Sequence, residues 1–538
     1  MLTTDCYPIT VAPGLHPLFL DFCANVANAR KYYAHSSEAW AERPHSAAHS
    51  EDLLQALAEQ NPSSAIDGTG AARSIAALRT GAGVVVTGQQ VGLFGGPLFT
   101  PFKAATAVAR ARSATSAGRP HVAIFWLASE DHDFAEINHV VFPARRDLRK
   151  LVYTDSPSVP CPVGGVVLGD GISALLDQAW ELLGSSDAMD ALAAAYRPGR
   201  TFAEAFRDFY GKAFASQGLL IFDANQRSLH RIGAPVLRAA LERADELHSA
   251  LITRGAELVA AGYHAQVAVG AQSSLLFLVD EKTGARIALK RIAPTLAEPH
   301  GLWQAGRHTF STADLLGVLD AAPERISPSA LLRPVFQDHL LSTSLTIGGP
   351  AEIAYFAQSQ VLFDKILGRM TPAEPRFSGT LIEPAIGEAI QKHGLDLRRL
   401  FGQTPDSLSQ LLGARAIPVE GKQKLAAAGN ALDGELQQLE RFMAEMDEGL
   451  GRSATTAASK MRYQMNRLRR LASNFQLQKE ASLKRHAEAI CRSIYPGGAL
   501  QERVHGAAYY FARYGFELVE EICVKAENPC PGHTALWL

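Results

Sequence analysis

The hydrophobic pattern changes character along the chain. Through the first eighty residues, helix-like stretches such as GLHPLFLDFCANVANARKYY and EDLLQALAEQ alternate with turn clusters, which predicts a helical N-terminal segment over 1–80. From residue 83 the run VVVTG is short, β-branched and closed by glycine, and LFTPFKAATAVARARSA after it has helical periodicity. After Gly118 and Pro120, VAIFWLA is continuously apolar, the texture of a strand covered by helices on both faces. Together these make a βαβ unit. LLIFDA (219–224) and SLTIGG (344–349), each followed by a helix-like segment, extend it into an open, mostly parallel α/β sheet.

We assign this core to 81–395, with insertions near 135–200 and 260–310. The first insertion holds the strand candidates NHVVFP and RKLVYTD before an alanine-rich helix. The second holds LLFLVDEKTGARIALK, a predicted hairpin turning at Glu281-Lys282-Thr283-Gly284. Linker helices are expected over 396–429. Over 430–490, Leu432, Leu436, Leu439, Met443, Met446 and Leu450 alternate spacings of four and three, and Met461, Met465, Leu468, Ala472 and Phe475 repeat the rhythm. Gly449 and Gly451 between them predict an antiparallel helical hairpin, with 491–538 returning to the core. Residues 433–448 carry six acids and one base, and 460–485 eight bases and one acid, so the two arms have complementary charge.

Composition narrows the functional classes. The 538 residues carry a net charge of -2, too balanced for a field that would gather polyanions or anionic membranes, so any anion binding must be local. Cys6, Cys23, Cys161, Cys491, Cys523 and Cys530 include no C-x-x-C pair, which argues against a disulfide framework or structural zinc. The N-terminus has no export-signal pattern. The most apolar stretch, 258–279, is interrupted by glycines, His264, Gln266 and Gln272, unlike a lipid-facing helix. A cytoplasmic protein is expected.

Three segments carry the candidate chemistry. TGQQVGLFGGPLFTPFK (87–103) follows a strand, opens a helix and holds Gly88, Gly92, Gly95 and Gly96; glycine amides at a helix start suit an anion, and Lys103 lies within reach of it. It matches neither the Walker A nor the dinucleotide fingerprint, and a turn chosen only for tight packing is the structural alternative. In FWLASEDHDFAEINH (125–139) a strand empties into Glu130, Asp131, His132 and Asp133, a group suited to an ammonium, to Mg2+ on ATP phosphates or to proton transfer. Metal binding by His132, Glu136 and His139, and helix capping by Asp133, are the competing readings. LTIGGPAEIAYF (345–356) repeats the strand–glycine–helix grammar with Glu352 in the first helical turn, and PRFSGT (375–380) offers Arg376 and Ser378 to an anion.

In combination, TGQQ-x-G-L-F-x-G-P-L-x-T-x-x-K, EDHDF-x-E-I-NH, I-G-G-P-x-E-I-A-Y, P-R-x-S-x-T and LQERV (500–504) resemble the bacillithiol biosynthesis cysteine-adding enzymes, in order along nearly the whole chain. The chain departs from that pattern at Phe99, Ala351 and Phe356. The resemblance implies a Rossmann-like core akin to class I nucleotidyltransferases, with connecting insertions and a coiled coil that makes a homodimer. It also implies a ligase that joins cysteine through its carboxyl to the amine of glucosaminyl-malate, with ATP as activator and Mg2+ as its companion. On that reading His132, Asp131, Asp133 and Lys103 are catalytic, with His132 the proton acceptor. Gly88, Gln89, Gln90, Gly95, Gly96, Thr100, Gly348, Gly349, Arg376 and Ser378 bind the nucleotide or anion, and Glu130, Asn138, His139, Glu352 and Tyr355 bind substrate. No residue is assigned to a resident metal. An adenylate and an acyl phosphate are both compatible with these residues. Two other functions stay open: a nucleotidyltransferase acting on a small acceptor, and an RNA-binding or scaffold protein using the basic helix 460–485.

Overall fold

The computed structural model describes residues 2–33, 40–42, 49–62, 70–292 and 301–538. They fall into two compact units, one of residues 1–380 with 502–536 and one of 381–501 with 537–538.

The first unit is built on a parallel five-stranded sheet. Its strands are β1 (Gly83–Gln89), β2 (His121–Leu127), β3 (Leu220–Phe222), β4 (Thr343–Gly348) and β5 (Ala373–Pro375), in the spatial order β5-β4-β1-β2-β3. Val84, Val85 and Val86 are fully buried, and no residue of β2 is more than 8% exposed, as expected of strands sandwiched between helices. The chain lays β2 and β3 on one side of β1, then returns to lay β4 and β5 on the other. That reversal puts the topological switch point between β1 and β4, where the carboxyl ends of an open α/β sheet leave a crevice.

Three helices position the crevice: α1 (Phe99–Ser116) after β1, α2 (Arg333–Leu341) before β4, and α3 (Pro350–Leu367) after β4. Proline fills the first turn of α2 and α3, where a missing N–H costs nothing. α1 is buried on nearly every face, because it lies on the sheet and under the helix Glu517–Glu527. The insertions form small antiparallel sheets. His139–Pro143 pairs with Leu148–Val152, and Leu276–Val279 pairs with Arg286–Ala288 across the expected Glu281–Gly284 turn. QVAVG (266–270), just before that hairpin, forms no strand. Despite the sparse cysteines, Cys6 and Cys530 form a disulfide near the two chain ends.

The second unit contains the helical hairpin, with arms Val419–Met446 and Glu448–Lys479. The reversal falls at Asp447, which is extended and caps the second arm by accepting a hydrogen bond from the Leu450 amide. Gly449 and Gly451, expected to break the helix, lie inside that arm. A Cβ at Gly451 would sit 2.8 Å from Ala444 Cα, so this glycine permits the close approach of the two arms instead. Arg462 of the basic arm pairs with Asp433 and Glu440 of the acidic arm. Among the described residues no helix is long and apolar enough to cross a membrane.

Candidate active site

The crevice at the β1/β4 switch point opens into a cleft of about 700 Å3, within the range of small-molecule sites. Its floor is the exit of β1, Gly88, Gln89 and Gln90, and the turn at Gly349 and Pro350. One wall is acidic and the other basic.

The acidic wall comes from the segment after β2. Gln90 donates through both hydrogens of its amide nitrogen, to Asp131 Oδ2 at 2.8 Å and Glu136 Oε2 at 2.7 Å, and so ties the glycine-lined turn to the acidic segment. Burial pushes the Asp131 carboxyl up. Hydrogen bonds from Gln90 and the His132 amide, with Arg333 and Arg286 nearby, outweigh that and hold it below the usual aspartate range, so it is ionised at neutral pH. His139 also lines this wall. Its Nδ1 lies 3.1 Å from the Ala135 carbonyl and 3.3 Å from Asn138 Oδ1, two acceptors that place the ring proton on Nδ1 and leave Nε2 basic. Burial, then Lys150, lowers its pKa, which keeps the ring neutral.

The basic wall holds Lys103, Arg376, Arg333 and Arg503. Lys103 is 3% exposed, and its ammonium donates to the Gly88 carbonyl and Gln89 Oε1, both at 2.8 Å, and to the Glu352 carboxylate. Three donors meet three acceptors, so Lys103 braces the junction of β1, α1 and α3. Arg376 is held from behind by Glu502, with NH1 at 3.0 Å and NH2 at 2.6 Å from its two oxygens. Burial raises the Glu502 pKa, but Arg376 outweighs it and the carboxyl stays below the ordinary glutamate value. Ser378 and the Gly379 amide complete the carboxylate's shell, and His533 bridges Ser378 and Thr380 at 2.8 Å each.

The expected residues therefore divide. Gly88, Gln89, Gln90, Lys103, Asp131, His139, Gly349, Glu352, Tyr355 and Arg376 line one cleft; the others do not. Gly95 and Gly96 turn inward. With φ of +83° and +68° they shape the turn, where the Gly95 amide donates to the Tyr196 hydroxyl and its carbonyl accepts from Tyr210, leaving no donor for an anion. Thr100 is fully buried. Gly348 ends β4, with its carbonyl taken by the Arg376 amide, and Ser378 faces Glu502 and His533. Glu130 forms a buried pair with His230 at 2.9 Å. Asn138 donates to the Tyr153 carbonyl. Asp133 accepts from the Glu136 amide, the capping role that its spacing also allowed. His132 points away from the cleft: Arg286 NH1 lies 2.9 Å from its Nδ1, and since a guanidinium only donates, that nitrogen is occupied as an acceptor. Among the described residues no group of three or more His, Cys, Asp and Glu is placed to hold a metal ion, so the His132, Glu136, His139 grouping does not form.

Sequence reasoning missed Arg333, Gln337, Glu502 and His533. For Arg333 the signal was Arg-Pro opening a helix immediately before a switch-point strand; for Glu502 it was the LQERV motif, whose glutamate had been given no partner.

Comparison with known proteins agrees along the whole chain. Residues 2–377 match the model of the bacillithiol biosynthesis BshC N-terminal Rossmann-like domain, and residues 379–537 match that of the BshC C-terminal coiled-coil domain. A protein of Koribacter versatilis named "Putative cysteine ligase BshC" is 38% identical over 542 residues, covering 99% of each chain. Proteins of the same name from Solibacter usitatus and Salinibacter ruber are 35% and 30% identical, covering 90% and 95% of this chain and 88% and 94% of their own. With a parallel sheet that carries its cleft at the switch point, a coiled-coil unit, and matches from one end to the other, this chain belongs to the bacillithiol biosynthesis BshC family.

Proposed function

We propose that the protein is an ATP-dependent ligase joining the carboxyl group of cysteine to the amine of glucosaminyl-malate, which completes bacillithiol. The observation that carries this reading is the two-sided cleft: the ionised Asp131, with Glu136 beside it, shares about 700 Å3 with arginines. Such a site receives a substrate amine on one wall and phosphate or carboxylate oxygens on the other. A carboxylate acylates poorly, so it must first become a phosphate or adenylate ester and then be held beside an uncharged amine. Preorganised guanidinium groups stabilise charge developing on phosphoryl oxygens. Asp131 holds the incoming ammonium, and His139, with a free Nε2 on the same wall, accepts its proton in place of His132. Glu136, the other carboxylate of that wall, would hold Mg2+, which when bound supplies positive charge to phosphate oxygens.

The reading includes a homodimer through the hairpin. Leu439, Phe442, Met446, Met461, Leu468, Leu471 and Phe475 are each about half exposed or more, a patch that a second copy would cover. It also includes a cytoplasmic location, where ATP and reduced cysteine are available.

The test is incubation of the purified protein with ATP, cysteine and glucosaminyl-malate, with the thiol product and the nucleotide product identified. Bacillithiol with AMP supports an adenylate, and bacillithiol with ADP supports an acyl phosphate. Absence of bacillithiol with all three present overturns the reading.

A further inference from the structure

Five basic side chains are held at or behind the cleft; Lys103, Arg376 and Arg286 are spent, and Arg503 lies beside the Glu502–Arg376 pair. Lys103 satisfies three acceptors. Arg376 is clamped by both oxygens of Glu502 and also donates to the Phe377 carbonyl. Arg286 lies flat on Phe277, 3.6 Å from the ring centroid, and donates to Ser327, His132 and the Pro328 carbonyl.

Arg333 is different. It lines the cleft, yet among the described residues its hydrogen-bond partner is one neutral group, the Tyr355 hydroxyl, 3.2 Å from NH2. Asp131 and Glu352 lie within electrostatic reach without forming an ion pair with it. A guanidinium carries five N–H donors in a planar fork, so most of this fork is uncommitted. The Tyr355 contact orients the fork before any ligand arrives, which lowers the cost of binding. A fork of this kind matches two oxygens of one carboxylate or phosphate group.

We propose that Arg333 is the specificity-determining contact for a substrate oxyanion in this cleft, taking two oxygens of one carboxylate or phosphate group, with Tyr355 as its positioning residue. The inference rests on the ligase reading for the identity of the substrates. Those substrates offer three sources of the oxyanion: the phosphates of ATP, the malate carboxylates of the acceptor, and the carboxylate of cysteine.

The experiment is steady-state kinetics of Arg333→Gln, Arg333→Lys and Tyr355→Phe, with each substrate varied in turn and thermal unfolding recorded for every variant. In Arg333→Gln, KM for one substrate is expected to rise on the order of 10- to 100-fold, the worth of a charge-assisted pair. The substrate affected names the source: ATP for phosphate, glucosaminyl-malate or cysteine for carboxylate. Arg333→Lys keeps the charge but not the fork and should recover only part of the loss, and Tyr355→Phe should move the same KM by less. All three KM values within about twofold of wild type in folded Arg333→Gln would overturn the proposal while leaving the ligase reading intact. A loss confined to kcat would also overturn it. A wild-type protein without ligase activity would instead overturn the reading beneath it.

Discussion

The ammonium of Lys103 rests against the carboxylate of Glu352, joining the N-terminal ends of the two helices that leave the switch point. Both groups are largely shielded, with side chains 4% and 21% exposed, and breaking a buried pair leaves one charge uncompensated. Lys103→Met is expected to lower unfolding free energy by about 3–5 kcal/mol in urea titrations. The double variant Lys103→Met/Glu352→Gln should recover much of it. A single variant as stable as wild type would remove Lys103 as a brace and return it to the role of anion ligand.

Asp131 should matter through its charge. Asp131→Asn keeps the shape and the Gln90 neighbour but removes the negative end of the ammonium site, and kcat/KM should fall on the order of 100-fold. Rate measurements with the amine substrate varied decide this, and an unchanged value rejects the assignment.

His139 and His132 make opposite predictions. With Nε2 of His139 as proton acceptor, His139→Gln should flatten the acid limb of the pH–rate profile, whereas His132→Gln should leave that limb in place because Arg286 occupies its Nδ1. A profile that responds only to His132 would reverse the roles.

His533 makes stability fall with acid. Burial lowers its pKa from 6.5 to about 4, so between those values the unfolded chain binds a proton that the folded protein refuses. Stability is therefore complete above about pH 6.5 and drains as pH falls towards 4, by on the order of 3 kcal/mol. Glu502, held below the ordinary glutamate value by Arg376, adds a further loss as pH falls through the glutamate range. Denaturant titrations from pH 7 to pH 4 should show the fall, and His533→Asn should shrink it; a slope unaltered by that change would place its origin elsewhere.

Gly95 is a structural position. At φ +83° a Cβ would lie 2.8 Å from the Phe209 ring, so Gly95→Ala should cost about 1–3 kcal/mol of stability. At a temperature where the variant is folded, KM for ATP should stay at the wild-type value. A raised KM with unchanged stability would restore the glycine to an anion-binding role.

The periodic elements were legible because their signals are local. VVVTG, VAIFWLA and SLTIGG are short apolar runs that only a strand covered on both faces accommodates, and the four-three spacing of the hairpin leucines and methionines records two helix faces. Motif order identified the family. Half of the proposed site was legible for the same reason: a strand end followed by glycine or carboxylates marks a crevice whatever the rest of the chain does.

The side to which each of those groups turned was not local. Gly92 and Gly95 look alike in sequence, but Tyr196 and Tyr210, some hundred residues away, take both the amide and the carbonyl of the second, whereas the first gives Tyr196 only its carbonyl. His132 has its acceptor nitrogen taken by Arg286, brought in by a distant hairpin. Arg376 met Glu502, whereas Arg333 forms no ion pair with a carboxylate among the described residues. Sequence by itself determined the elements, their order and the family, since these depend on propensity and periodicity. Tertiary structure alone decided which polar groups were already satisfied, because a hydrogen bond or ion pair is made by whatever the fold delivers within about 3 Å.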